Sequence, residues 1–237
     1  MLFDRRLEMN RGVEIRDLKK QFALVRWQAW RRRTSLVTAV DGITLEVPAG
    51  QSVAFIGPNG AGKSTTIKIL TGILPPSSGH VEVLGLTPWI ERRKLAQQIG
   101  AVFGQRSQLW YHLPPADTFE LIARIYGLER EAYRKTRDTL VDRFALGAFM
   151  NVPVRKLSLG QRMRAEVAAS LLHRPQGLFL GEPPLGLAAV ARLALRHLGR
   201  EWNGREGAPI FLPSHDCGDS EHVAVLVCVI SHRRYVV

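Results

Sequence analysis

One glycine-rich segment constrains the fold of this chain more than any other feature. The sequence GPNGAGKST, from Gly57 to Thr65, follows the short apolar run QSVAFIG and precedes KSTTIKIL, whose apolar residues recur at helical spacing. A G-x-x-x-x-G-K-S/T loop between a strand and a helix is typical of a phosphate-binding loop. The segment therefore predicts an α/β sheet that carries this loop at the end of one strand.

The residue types of the loop match the chemistry of a nucleoside triphosphate. Glycines permit backbone angles that turn successive N–H groups inward, and the helix that follows directs its positive end at an anion. Lys63 can reach the β- and γ-phosphates, and the Ser64 hydroxyl suits Mg²⁺. The predicted nucleotide-binding residues of the loop are Gly57, Pro58, Asn59, Gly60, Ala61, Gly62, Lys63, Ser64 and Thr65.

Composition limits the class of protein and its partners. The chain has 237 residues, of which 46% are apolar, enough for one substantial globular domain. The apolar run VAVLVCVI is too short to cross a bilayer, and MLFDRRLEMN has no signal-peptide core, so we expect a cytoplasmic protein. The net charge of +12 suggests an anionic partner: a nucleotide, a nucleic acid or an anionic membrane surface.

Apolar patterns alternate between strand and helix along the whole chain, which favours an α/β sheet. The basic and aromatic segment Arg26–Ser35 has no clear period. We interpret it as an exposed loop or short helix near membrane headgroups or a partner, with base stacking on nucleic acid as the alternative. Strands are predicted at 12–22, 39–50, 51–57, 78–85, 99–105, 177–180, 208–215 and 222–230, and helices at 63–74, 91–98, 117–146 with a break at Gly127, 158–174 and 188–202.

A second motif separates the possible phosphate-binding families. LSLGQRMRAEVAASLLHRP, from Leu157 to Pro175, resembles the signature motif of ABC ATPases, usually Leu-Ser-Gly-Gly-Gln, with leucine at the third position. The resemblance implies that the start of this helix faces the γ-phosphate held by the other protomer of a head-to-tail dimer. The predicted signature residues are Ser158, Leu159, Gly160 and Gln161.

The resemblance assigns further site residues in the family's order. Gln105 is similar to the Q-loop glutamine, which contacts Mg²⁺ or water, so the metal site would comprise Ser64 and Gln105. Glu182 resembles the catalytic base and His215 the switch histidine, which contacts the γ-phosphate. Phe22 is the candidate for stacking on adenine.

The resemblance extends over almost the whole chain and is closest to the multidrug, or ABC-2, type of ATP-binding subunit. It implies a P-loop NTPase (RecA-like) core sheet with flanking helices, an antiparallel β subdomain and a helical subdomain insertion. The predicted domain covers residues 12–237, with the insertion at roughly 106–159 and an N-terminal extension at 1–11.

The same resemblance implies a function and its partners. FGQRSQLWYHLPPADTFELIARIYGL, from Phe103 to Leu128, is similar to the exporters within the ABC-2 group, and this insertion usually docks the membrane subunit. We expect ATP and Mg²⁺ as cofactors and a homo- or heterodimer of ATP-binding subunits. The partner would be a transmembrane permease subunit at the inner face of the plasma membrane, with no direct nucleic acid.

Departures from the family pattern follow Leu180. The aspartate that helps to hold Mg²⁺ is replaced by Gly181, the residue after the Glu-Pro pair is Pro184, and the D-loop aspartate is Ala188. One interpretation is a degenerate site that binds ATP but hydrolyses it poorly, as in a regulatory subunit. The other is that the last third of the sequence has drifted or contains errors.

Two further classes remain as alternatives at this point. A soluble ABC ATPase acting on nucleic acid or the ribosome would suit the basic charge, although such proteins usually carry two ATPase domains or large inserts. A small-molecule kinase would suit the phosphate-binding loop but leaves the signature helix without a role.

Overall fold

A computed structural model describes residues 11–28, 31–49, 51–103, 107–181, 210–214, 226–231 and 234–236. The chain divides into two compact units. The first comprises Met1–Leu95 with Phe211–Val237, and the second comprises Ala96–Ile210.

An antiparallel sheet of three strands lies in the first unit. Its strands are β1 (Arg11–Gln28), β2 (Arg31–Pro48) and β4 (Ser78–Val83), in the order β2-β1-β4. Alternate apolar residues of these strands form one buried face, because successive side chains of a strand point to opposite sides of the sheet. The buried residues include Val13, Ile15, Ile43, Leu45, Val81 and Val83. This sheet confirms the predicted antiparallel β subdomain.

Strands β1 and β2 include residues 26–28 and 31–35 of the segment that we predicted as a loop or short helix, so that prediction is wrong for these residues. Arg26 pairs with Arg33 and Gln28 with Arg31, in a register that is unbroken from the Gln21–Thr38 pair onward. These strand residues could not be predicted from the sequence, because the arginines interrupt the alternation of apolar and polar residues on which strand prediction depends. Pairing between the two strands determines the local structure instead.

A second set of strands in the first unit has the order β7-β3-β8-β9. They are β3 (Ser52–Ile56), β7 (Ile210–Ser214), β8 (Leu226–Ser231) and β9 (Arg234–Val236). Strand β3 pairs in parallel with β8, and β8 pairs antiparallel with β9. The prediction included the first three of these strands but missed β9, a three-residue strand with no alternation to mark it.

Helix α1 (Lys63–Leu70) directly follows the phosphate-binding loop and contacts β2 and β4. Its residues Ile67, Ile69 and Leu70 are fully buried. The order of strand, glycine loop and helix is the one that the sequence predicts. The helix α2 (Arg92–Gln98) comes next in the chain.

The described part of the second unit contains two parallel strands and three longer helices. Strands β5 (Ile99–Val102) and β6 (Gly177–Leu180) pair in parallel. The helices are α3 (Pro115–Ile125), α4 (Arg130–Arg143) and α5 (Leu159–Leu171). Short 3-10 turns lie at Gly147–Phe149 and Val154–Lys156. Gly127, at a φ of +62°, separates α3 from α4 at the predicted break.

Helix α5 is shorter than the predicted helix at 158–174. Ser158 is its N-cap, and the helix ends at Leu171, before Arg174 adopts a φ of +53° next to Pro175. The residue before a proline is disfavoured in helical geometry, which explains the early end. Every residue from Ala165 to Leu171 is buried, so α5 is a central helix with contacts to α3 and β5.

In the described part of the chain, no helix is long and apolar enough to cross a membrane. The predicted helix at 188–202 lies outside the described residues.

Gly79 offers a test of the antiparallel sheet. Its φ is +94°, and a Cβ there would overlap the carbonyl oxygen of Asp17. We expect Gly79→Ala to lower the free energy of unfolding by more than about 3 kcal/mol, because left-handed strain and a backbone clash add together. Chemical denaturation measures this change.

Gly85→Ala is the matched control. Gly85 also has a positive φ, +74°, but nothing lies within 4 Å of a Cβ built there. We expect it to cost only the left-handed strain, about 1–2 kcal/mol. Equal losses in the two variants would contradict the close approach of β4 to β1.

Candidate functional site

The phosphate-binding loop connects the buried end of β3 to the first residue of α1. Gly60 has a φ of +80° and Gly62 a φ of +104°, and Gly62 occupies the N-cap position of α1. Glycine offers no side chain to cap the helix, so the first N–H groups of α1 are left to a ligand. Pro58, Asn59 and Gly60 are exposed, which leaves this side of the loop accessible.

Lys63 is the charged centre of the loop. Its side chain is only 2% exposed, and its Nζ donates hydrogen bonds to the carbonyl oxygens of Gly57 at 2.5 Å and Pro58 at 3.0 Å. The loop therefore holds the ammonium group in place before any ligand binds. A buried positive charge beside free helix N–H groups favours an anion with several negative oxygens.

Two residues with hydroxyl groups directly follow Lys63. Ser64 and Thr65 are partly exposed, so their hydroxyl groups can meet a ligand. The next residue, Thr66, is fully buried, and its Oγ1 donates to the carbonyl oxygen of Gly62 at 3.0 Å. The predicted roles of Ser64 and Thr65 at a ligand stay predictions.

Strand β2 touches the loop at a β-bulge. The register with β1 passes from Lys20–Val40 to Gln21–Thr38, which leaves Ala39 as the extra residue. The carbonyl oxygen of Ala39 lies 2.5 Å from the place where a Cβ of residue 62 would be. Only glycine fits there.

Phe22, the candidate adenine contact, lies on β1 just past this bulge. It pairs with Val37, two residues along β2 from Ala39, and the Nζ of Lys20 lies 5.1 Å from its ring centroid. Two residues of a strand span about 7 Å. The aromatic ring is therefore attached to the same strand pair that touches the loop, although its role with a base stays a prediction.

The predicted signature residues begin helix α5 in the second unit. Ser158 and Gln161 form a capping box, in which the N–H of Gln161 donates to Ser158 Oγ at 3.2 Å and the N–H of Ser158 donates to Gln161 Oε1 at 2.8 Å. Leu159 is 47% exposed and Gly160 is exposed. The helix start is thus rigid and open to solvent, which suits a docking role.

Gly181 directly follows the buried strand β6. Its N–H donates to the carbonyl oxygen of Val102 at 2.7 Å. A Cβ at this position would lie 2.9 Å from Cδ1 of Phe103, so the phenyl ring occupies the space that a side chain would need. The packing at this position therefore suits glycine. Glycine also has no side-chain atom that could bind a metal.

Three of the predicted catalytic residues, Gln105, Glu182 and His215, lie outside the described residues. The departures Pro184 and Ala188 lie there too. Their assignments stay predictions from the sequence.

Sequence reasoning missed one buried carboxyl group, that of Glu166 on α5. The residue is 1% exposed, and its Oε1 lies 3.6 Å from Nε of Arg162, too far for a hydrogen bond. Neither of these two atoms has a hydrogen-bond partner in the described part of the chain. The signal available in the sequence is a lone acidic residue inside the small apolar run AEVAAS.

Burial raises the pKa of Glu166 above its ordinary value, while a hydrogen bond from Ser107 and the charge of Arg162 act in the opposite direction. Ser107 lies two residues after Gln105. Glu166 on α5 therefore has Ser107 in its electrostatic surroundings.

Comparison with known proteins identifies the family of the chain. Residues 40–184 match the family model described as ABC transporter. The Nod factor export ATP-binding protein I of Ralstonia nicotianae is 32% identical over 87% of this chain, which spans 64% of that protein's length. The lantibiotic transport ATP-binding protein SrtF of Streptococcus pyogenes is 31% identical, covering 94% of this chain and 89% of its own length.

Solved structures confirm the fold. The dimeric post-hydrolysis state of the ATP-binding cassette MJ0796, bound to ADP and Pi, has a TM-score of 0.77 and 21% identity, covering 94% of this chain and 96% of that one. The protein cbiO1 from Clostridium perfringens, part of the transporter complex cbiONQ, has a TM-score of 0.74 and 23% identity, covering 96% of this chain and 88% of its own. The predicted P-loop NTPase fold is confirmed.

The buried Glu166 predicts a pH dependence of stability. Its pKa in the folded chain lies above 4.5, so it contributes stability at low pH that is lost as the pH rises through the folded pKa. In Glu166→Gln this loss should disappear. Between pH 4.5 and neutral pH, the free energy of unfolding of Glu166→Gln should therefore fall less than that of the native chain. Denaturant titration at several pH values measures both.

Glu120→Gln on the surface of α3 is the control for removing one carboxyl group, since the side chain of Glu120 is 60% exposed. It should leave the pH dependence of stability close to that of the native chain. A parallel pH profile for the native protein and Glu166→Gln would show that Glu166 is not held in a low-dielectric site.

Proposed function

The chain belongs to the ABC transporter family, and we propose that it is the ATP-binding subunit of an exporter that binds and hydrolyses ATP to drive transport through a membrane partner. The geometry of the phosphate-binding loop carries this proposal. A fixed, buried Lys63 lies beside the uncapped start of α1, which suits a polyphosphate. The export role is supported by relatives whose names describe Nod factor export and lantibiotic transport.

ATP would be held first by the loop. The N–H groups at the start of α1 and the Lys63 ammonium would contact the β- and γ-phosphates, and Phe22 would stack on the adenine. The Ser64 hydroxyl, with Gln105, would hold Mg²⁺, which neutralises charge on the phosphates when it is bound. The residues present in the described loop fit such an ion because the Ser64 side chain is partly exposed beside Lys63.

Hydrolysis in this proposal depends on Glu182 as the base that orients water and on His215 at the γ-phosphate. Gly181 supplies no carboxylate to organise the metal's water shell. We therefore expect ATP binding to be intact and turnover to be limited at the metal. The missing carboxylate favours, as the alternative function, a regulatory member of a heterodimer that binds ATP and hydrolyses it poorly.

Two protomers would work together. The exposed start of α5, from Ser158 to Gln161, would close on the γ-phosphate bound by the partner protomer. Closure would drive the conformational change of the membrane subunit, and hydrolysis would reset it.

The contact with the permease is proposed for the segment after the predicted Q-loop glutamine. Trp110 and Tyr111 are 57% and 58% exposed, and Leu113 is 38% exposed. Large apolar side chains grouped on a surface are typical of a protein interface. Through this contact the chain would lie at the inner face of the plasma membrane. The domain boundaries at 12–237 and the insertion at 106–159 are part of this proposal.

The lysine of the loop provides the test of nucleotide binding. Lys63→Met keeps the side-chain length but removes the ammonium group, so we expect the Kd for ATP to rise about 10- to 100-fold, as for the loss of a charge-assisted hydrogen bond. Titration with a fluorescent ATP analogue measures this Kd, and thermal unfolding confirms that the variant is folded.

Lys68→Met is the matched control, because Lys68 lies on the same helix with an exposed side chain. Its Kd should equal that of the native chain. If Lys63→Met binds ATP as tightly as Lys68→Met does, the loop is not the nucleotide site.

A second test concerns turnover. Gly181→Asp restores a carboxylate at the end of β6, and we expect Mg²⁺-dependent phosphate release to increase about tenfold or more. The concentration of Mg²⁺ that gives half-maximal turnover should fall at the same time. Phosphate release by the purified dimer measures both quantities.

Gly181→Ala controls for packing, because its Cβ meets Phe103 as the aspartate's does but carries no carboxylate. It should leave turnover at or below the native value. High native turnover that neither substitution changes would refute the metal limitation while leaving ATP binding in place.

A further inference from the structure

The β1–β2 hairpin extends beyond the bulge at Ala39 as a separate ribbon. We call residues 21–28 and 31–38 the hairpin arm; they form eight consecutive pairs, from Gln21–Thr38 to Gln28–Arg31. Eight residues of an antiparallel strand span roughly 27 Å. The nucleotide loop touches β2 at Ala39, at the base of the arm.

The outer half of the arm carries a concentrated positive charge. Its last three pairs are Arg26–Arg33, Trp27–Arg32 and Gln28–Arg31, so four arginines and a tryptophan occupy six neighbouring positions. No acidic residue occurs anywhere between positions 21 and 38. Since neighbouring positions along a strand alternate between faces, arginines are placed on both faces of the ribbon.

The inner half of the arm exposes aliphatic side chains. Leu24 is 42% exposed, Val25 is 41% exposed and Leu36 is 69% exposed. Leu24 belongs to one face by register, and Val25 and Leu36 to the other. Both faces are thus open, and a two-stranded ribbon with exposed apolar residues gains little stability by itself in water.

We propose that the hairpin arm binds the anionic surface of a lipid bilayer. Arginines near such a surface are attracted to the phosphate groups of the lipids, and tryptophan is favoured at the boundary between headgroups and acyl chains. The aliphatic residues favour this occupant over a nucleic acid, because an apolar layer lies beneath the lipid headgroups. A polyanionic strand presents phosphates without such a layer.

The arm's lipid binding needs no nucleotide. It would hold the chain at the membrane through a contact separate from the permease. Strand β2 would contact the membrane in the arm and contacts the nucleotide loop at Ala39. Loss of one interaction therefore leaves the other measurable, and failure of lipid binding would not affect the proposed ATPase role.

Vesicle sedimentation of the full chain tests the proposal. The native protein should bind vesicles of phosphatidylglycerol and phosphatidylcholine in equal parts, and bind pure phosphatidylcholine vesicles far more weakly. Each arginine near the surface contributes about fivefold to partitioning, so Arg31→Gln/Arg32→Gln/Arg33→Gln should lower the partition coefficient about 100-fold. Leu36→Gln should lower it several-fold while retaining every charge.

The matched control removes the same number of charges elsewhere. Arg93, Arg134 and Lys135 are exposed residues outside the arm, and their joint replacement by glutamine should leave vesicle binding within about twofold of the native value. Both triple variants should keep the native melting temperature and the native Kd for ATP, because the three control residues are exposed and Arg31–Arg33 occupy the end of the arm away from Ala39.

Three outcomes would overturn the proposal. One is equal loss of vesicle binding in the two triple variants, which would show that only net charge matters. Another is unchanged vesicle binding in the arginine variant. The third is displacement of the native chain from vesicles by single-stranded RNA at physiological salt, with RNA binding lost in the arm variant, which would assign the arm to nucleic acid.

Discussion

The contact between Gly62 and the Ala39 carbonyl is the constraint on which the nucleotide site depends. No side chain fits at position 62, and its φ of +104° is left-handed. Because a glycine stands at the N-cap, α1 has no side-chain cap, and its first N–H groups remain for phosphate. The bulge that presents Ala39 is also where the regular pairing of the hairpin arm begins. One irregularity in β2 therefore supports the loop and sets the start of the arm.

Local patterns made part of this fold predictable from the sequence. The glycine spacing of the loop and the run GLFL, which is strand Gly177–Leu180, act over a few residues. The break at Gly127 is equally local. The hairpin arm could not be predicted in this way, because Arg26 becomes a strand residue through its pairing with Arg33. Non-local pairing overrides the weak propensity of a mixed basic and aromatic segment.

In the candidate site, too, local sequence spacing predicts some features and only the packing shows the others. Sequence spacing predicts Lys63 as a phosphate ligand, but only the packing of the loop shows that its ammonium group is held by two carbonyl oxygens. Glu166 could not be assigned to the interior from its position in α5. Its burial follows from the contacts of that helix with both α3 and β5, which enclose it on more than one side.

Gly181 separates binding from turnover in physical terms. Phosphate binding relies on backbone N–H groups and a buried ammonium group, none of which involves residue 181. Metal organisation relies on a carboxylate that glycine cannot supply, and Phe103 fills the space where its Cβ would stand. Because Phe103 occupies this space, an aspartate at position 181 would have to displace the phenyl ring. Any gain in metal binding from that carboxylate would therefore come with a cost in packing.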